Sequence, residues 1–141
     1  MAQEKLQPVT SLRVEDVMTS PVRSVTPSMT LKEVVDMYLQ HNISGAPIVD
    51  QSGKVISVIS QSDLIQFIAV EGMSKPVSHY MPRLPKPDQV ISVTKTDVFK
   101  EVFKQFLVKP VRRIIVTDSN GKLQGIVSKS NLLRAFVMEA G

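Results

Sequence analysis

Lys54-Val-Ile-Ser-Val-Ile-Ser-Gln-Ser-Asp-Leu64 is answered 68 positions later by Lys122-Leu-Gln-Gly-Ile-Val-Ser-Lys-Ser-Asn-Leu132. Each stretch is a β-rich run that gives way, at Ser60 or Ser128, to residues suited to a helix start. The same shift superposes residues 25–68 on 93–136 without a gap, and 12 of those 44 columns are identical, among them Val25/Val93, Glu33/Glu101, Asp50/Asp118, Gly53/Gly121 and Ser60/Ser128. Upstream the offset becomes 63, pairing Val14 with Val77 and Met18 with Met81. The second copy therefore carries five additional residues around Arg83-Leu-Pro-Lys-Pro-Asp88. Self-similarity at a fixed spacing marks a duplicated structural unit.

Working outward, each copy reads as strand, helix, strand, strand, helix. Thr30-Leu-Lys-Glu33 has capping-box spacing, with Met29 and Val34 placed as a hydrophobic staple. Leu31, Val34, Val35, Tyr38 and Leu39 then recur at helical spacing, and Phe99, Val102, Phe103, Phe106 and Leu107 repeat the stripe, so one helical face in each copy is expected to be buried. Two β-rich runs follow, joined by Asp50-Gln-Ser-Gly53 in one copy and Asp118-Ser-Asn-Gly121 in the other. Asn120-Gly121 is a hairpin signal because both residues tolerate positive φ. The second helix is predicted to begin at Ser62 or Asp63, and at Ser130 or Asn131, with Gly72 as a C-terminal glycine. The expected class is mixed α+β (α/β), arranged as a tail over 1–11, one unit over 12–72, a second over 73–138 and a tail over 139–141. The connector Glu71-Gly-Met-Ser-Lys-Pro-Val77 is too short to let independent domains drift apart.

A chain of 141 residues can bury a core without staples, and it contains no cysteine, which removes disulfides, thiolate metal sites and a nucleophilic thiol. The start lacks the apolar stretch of a signal peptide and apolar runs reach only about four residues, so no membrane segment is expected and a cytoplasmic setting is. The net charge of +4 is uneven: residues 1–74 hold 5 basic and 8 acidic side chains, residues 75–141 hold 12 and 5. No Ser-His-Asp set, glycine-rich phosphate loop or dinucleotide fingerprint is present, so the chain is read as no enzyme. His41 and His79 lack metal-ligand spacing, and no metal site is indicated. The methionines read as fillers of irregular core and interface gaps. The pI near 9.5 admits nucleic acid, but the absence of Trp, 5% aromatics and a core-facing Phe stripe argue against it.

Asp16-Val-Met-Thr-Ser-Pro-Val22, His41-Asn-Ile-Ser-Gly-Ala-Pro-Ile-Val-Asp50 and Val58-Ile-Ser-Gln-Ser-Asp-Leu64, each with an echo in the second copy, resemble the cystathionine-beta-synthase (CBS) domain, specifically a tandem CBS pair covering about residues 12–138. The resemblance implies two units related by a pseudo-twofold axis, leaving two clefts that take adenosine-containing ligands.

On the residues alone, Asp63 is either a first-turn acid steadying its own helix or an acceptor for a ribose diol, while Ser60 closes its strand and Ser62 caps the helix. The resemblance selects the ribose role for Ser60 and Asp63. It implies base-lining residues from the opposite copy: Met81, Pro82 and Val111 beside Asp63, and Thr19, Ser20, Val22 and Ile43 beside Ser128 and Asn131. Asn131 replaces the acid with an amide that bonds a hydroxyl without charge assistance. Arg112 and Arg113 stand where phosphate-binding relatives place cations, and the alternative for them is a solvated surface pair. The expected function is a regulatory, energy-sensing module that binds AMP, ADP or ATP, with S-adenosylmethionine as a further candidate ligand. It is expected to form a homodimer through its helices and to signal to an unidentified regulated protein, because a chain holding only the pair has no effector domain of its own. The alternative is an interaction scaffold with vestigial clefts.

Overall fold

The computed structural model describes residues 12–140, with side chains through residue 138. The tail assigned to 1–11 lies outside the described residues, as does Gly141, while the last helix runs through Ala140 and takes in most of the expected C-terminal tail.

Two compact units divide the chain, and they are not the two sequence copies. A continuous unit spans Arg23–Val90, and a split unit combines residues up to Val22 with those from Ile91 onward. The lead-in segment of each copy has thus changed places relative to the boundary expected at 72/73. Hydrophobic side chains account for the exchange. Helix α1 (Val14–Val17) buries Val14 and Val17 in a core with Phe99, Val102, Ile114, Val116, Val127, Leu132 and Ala135, all from the second copy. The 3-10 turn Val77–Arg83 buries Val77 and Tyr80 with Val25, Leu31, Val34, Tyr38, Ile48, Ile59 and Phe67 of the first.

In the continuous unit, α2 (Leu31–His41) opens on the expected capping box: Thr30 Oγ1 accepts from the Glu33 amide and Glu33 Oε1 accepts from the Thr30 amide. It ends at Asn42, held left-handed at φ 55. Strands β1 (Gly45–Val49) and β2 (Val55–Ser60) pair antiparallel with Ala46 opposite Ile59 and Ile48 opposite Ser57, and α3 (Gln61–Glu71) follows directly. The expected first strand is reduced here to one parallel bridge, Val25 to Ile48. The split unit runs β3 (Ser92–Val93), α4 (Phe99–Val108), β4 (Arg113–Thr117), β5 (Leu123–Ser128) and α5 (Lys129–Ala140), with β3 parallel and β5 antiparallel to β4.

Two sequence expectations need correction. Leu39 is 75% exposed and Leu107 61% exposed, so each amphipathic stripe is wider than the surface its own unit covers. In the β4–β5 connection only Gly121 takes positive φ, at 81°, and Asn120 does not. The turn is held instead by Asp118, whose Oδ1 accepts the amides of Asn120 and Lys122, each at 2.9 Å. Asp50 does the same for Ser52 and Lys54 and also accepts the Ser52 hydroxyl at 2.7 Å. These bonds lower both carboxyl pKa values, led by the Ser52 hydroxyl for Asp50 and by the Lys122 amide for Asp118. Because the folded-state values are depressed, their contribution is present above the ordinary carboxylate range and is lost as pH falls through the folded values. Carbon-detected NMR titration is expected to show both side chains titrating below an unfolded-chain Asp, and replacing either with Asn should weaken the pH dependence of acid unfolding.

Candidate functional site

The corner between β2 and α3 is built by Ser60. Its side-chain oxygen accepts the Asp63 amide at 3.1 Å, and its own amide donates to Asp63 Oδ2 at 2.8 Å, so Ser60 rather than Ser62 is the N-cap. The helix consequently starts at Gln61, ahead of the expected Ser62 or Asp63. Gln61 anchors the corner from behind, its amide donating to Ser44 O at 3.0 Å and its side chain to Ile43 O at 2.8 Å. Asp63 is half-buried, and its Oδ1 has no hydrogen-bond partner among the described residues. A carboxylate oxygen is thus held beside the positive end of an 11-residue helix, free to accept a hydroxyl.

The same unit holds Met81 and Pro82. Together with Ile56, Ser78, Pro85, Lys86 and Pro87 they line an open cleft of about 430 Å³, and neither Ser60 nor Asp63 belongs to that lining. Lys86 is a cation that the sequence reading missed. Its sequence signal is the five-residue addition around Arg83–Asp88, which brings two cations, Arg83 and Lys86, into this lead-in. Arg83 lies 4.8 Å from the centroid of the Phe67 ring, which in turn stacks on Tyr80 at 4.4 Å. Ile43 packs half-buried against the core of this unit.

The equivalent corner of the split unit is organised differently. Asn131 is 1% exposed. Its Oδ1 accepts the Ser128 amide at 2.7 Å and the Ser128 hydroxyl at 3.0 Å, while Nδ2 donates to Val17 O at 2.7 Å and to Thr19 Oγ1 at 3.2 Å. All four positions of the amide are occupied, which leaves none for the ribose hydroxyl assigned to it from sequence. Thr19 also exchanges backbone bonds with Ile126, at 2.8 and 3.0 Å, and Ser20 Oγ donates to Gln124 O at 2.9 Å. Ser20 and Val22 line a cleft of about 420 Å³ with Met18, Pro21, Lys95, Leu123 and Gln124. Val111 packs against the core of the split unit; Arg112 is exposed and Arg113, half-buried, opens β4. Val111 belongs to the split unit and Asp63 to the continuous one, and Ile43 and Asn131 are divided in the opposite sense.

Among the described residues no three His, Asp or Glu side chains gather as a metal site, and no helix is long and apolar enough to cross a membrane. Replacing Ser60 with Ala removes a cap and is expected to lower unfolding free energy by about 1 kcal/mol, read from chemical denaturation.

A family model described as the CBS domain matches residues 14–70 and again 77–138. An uncharacterized protein of Methanocaldococcus jannaschii is 29% identical over 126 residues, which is 89% of this chain; the chain spans 40% of that relative's length. Two solved structures share the fold. CBSX2 in complex with AMP, a protein of Arabidopsis thaliana, superposes with a TM-score of 0.76 at 22% identity, covering 92% of this chain and 98% of that one. The CBS domain pair of protein MJ0100, in complex with 5′-methylthioadenosine and S-adenosyl-L-methionine, gives 0.73 at 20% identity, covering 90% and 97%.

Proposed function

The chain belongs to the CBS domain family, and on that premise we propose that it is a non-catalytic regulatory module that binds an adenosine-containing ligand of the AMP, ADP or ATP class at Asp63 and signals to a partner protein. The observation that carries this reading is Oδ1 of Asp63, which has no hydrogen-bond partner among the described residues and stands at a helix N-terminus. A charge-assisted bond to a ribose hydroxyl is the chemistry that such an oxygen supports. The AMP held by the CBSX2 structure, and the S-adenosylmethionine held by that of MJ0100, support the ligand class. Lys86, on the cleft lined by Met81 and Pro82, supplies a cation for a phosphate within the same unit. Regulation follows if the ligand binds one conformation of the chain better than another, since only differential affinity shifts a population.

A second reading, an interaction scaffold, is favoured by the satisfied amide of Asn131, which withholds one of the two ribose positions. A thermal-shift panel of AMP, ADP, ATP, S-adenosylmethionine and NADH separates the two readings, because a ligand that binds only the folded state raises the melting temperature by mass action. At least one compound is expected to shift it at millimolar concentration; a flat panel selects the scaffold. Calorimetry on the compound that shifts most should then show Asp63→Ala weakening binding about tenfold or more.

The homodimer is assigned to the helical faces that each unit leaves uncovered. Leu39 and Ile65 flank an apolar groove with Val35, Tyr38, Leu64 and Ile68 on α2 and α3, and Leu107, Leu133 and Val137 are exposed on α4 and α5. Replacing Leu39 and Leu107 with Asp is expected to convert the dimer to monomer in sedimentation experiments while leaving the far-UV spectrum unchanged.

A further inference from the structure

The two corners occupy equivalent places in the duplicated sequence, and three of the paired positions that differ there are Asp63 against Asn131, Pro82 against Thr19, and Ser57 against Gly125. In the split unit all three act together to fasten the lead-in segment to β5 and α5. Asn131 donates to Val17 O and Thr19 Oγ1, which a carboxylate could not do. The amide orientation is fixed by its neighbours, since the Ser128 amide can only donate and Val17 O can only accept. Thr19 closes a two-bond bridge with Ile126. Gly125 permits the contact: a Cβ there would sit 2.6 Å from Met18 Sδ and 3.0 Å from Thr19 O.

The continuous unit lacks each device. Pro82 has neither a hydroxyl nor an amide hydrogen, so it cannot bridge the edge of β2 at Val58 as Thr19 bridges Ile126. Ser57 fills the position that Gly125 leaves vacant and sends its hydroxyl, fully buried, to Pro85 O at 2.7 Å. Among the described residues Asp63 bonds through its side chain to Ser60 alone.

We propose that Asn131 is a clamp, which holds the lead-in segment of the split unit in place and thereby removes that unit's ribose position from service, so that the chain binds one adenosine compound and binds it through Asp63. The stoichiometry rests on the ligand reading above, whereas the clamp does not. One position carries recognition in one unit and closure in the other, and the amide in place of the acid is the chemical means, because closure requires a donor.

Two measurements on the whole chain test it. The first is amide hydrogen exchange without ligand. Asn131→Asp is expected to speed exchange at the Thr19 and Ile126 amides at least tenfold, and Asp63→Asn to leave both within twofold; unchanged exchange in Asn131→Asp overturns the clamp. Should Asn131→Asp fail to fold, Thr19→Val, which deletes only the hydroxyl that Asn131 meets, and Gly125→Ser, which installs the side chain of the other unit, are expected to loosen the same two amides, and protection retained in both overturns it equally. The second is calorimetric titration with AMP. One AMP per chain is expected, abolished or weakened at least tenfold in Asp63→Ala. Two AMP per chain, or one that survives Asp63→Ala, overturns the assignment. If AMP and the other adenosine compounds do not bind the unaltered chain, the ligand reading and the stoichiometry fall together, and the exchange data alone decide the clamp.

Discussion

Each unit begins its first long helix on amides satisfied from a lead-in segment distant in sequence. Phe99 donates to Leu12 O at 2.7 Å and Leu31 to Lys75 O at 3.1 Å; Val14 donates to Asp97 O and Val77 to Met29 O. For α4 this is indispensable, since its N-cap is Val98, which offers no side-chain acceptor. The same segments bring Val14, Val17, Val77 and Tyr80 into the two cores, where burying a valine contributes about 1.5–3 kcal/mol. Without the exchange, each core would be open on one side and one helix would start on unsatisfied donors.

That constraint also determines what each corner can be. A lead-in segment that runs past β2 or β5 passes the strand-to-helix corner, so its side chains either compete for the polar groups there or leave them to a ligand. Pro82 leaves them, and Thr19 takes them. The family scaffold is held in common, and the difference in chemistry resides in a few side chains at one place in it.

Much of this was legible in the sequence because it depended on local physics repeated twice. The capping box at Thr30, the stripes beginning at Leu31 and Phe99, the paired β-runs and the Ser60 corner all follow from spacing, and the duplication allowed each to be read from two examples. The exchange of lead-in segments was not legible, because Val14 and Val77 carry no mark of which core they enter. Nor was the role of Asn131, since an amide at a ribose position is indistinguishable from a weakened acid until its partners 112 and 114 positions away are seen. The charge asymmetry changed meaning as well. Counted over sequence halves it was −3 against +7, but residues 23–90 hold six basic and six acidic side chains, so the continuous unit is neutral and the excess of +4 belongs to the split one. Lys75, Arg83 and Lys86 account for the shift, having moved to the unit that holds the acid.

The discontinuity of the split unit bears on how the chain is made. The continuous unit is one run of 68 consecutive residues, so it can collapse as soon as Val90 has left the ribosome. Val14 and Val17, synthesised before that unit, find their partners only when Phe99 and then Leu132 emerge. The entropy of closing so long a loop rises only slowly with its length, about 0.6 kcal/mol per doubling, and the delay is therefore mainly one of time. During that interval the chain displays a finished domain carrying Asp63, preceded by a short apolar segment whose core has yet to be built, which is the species that a chaperone or a protease would meet.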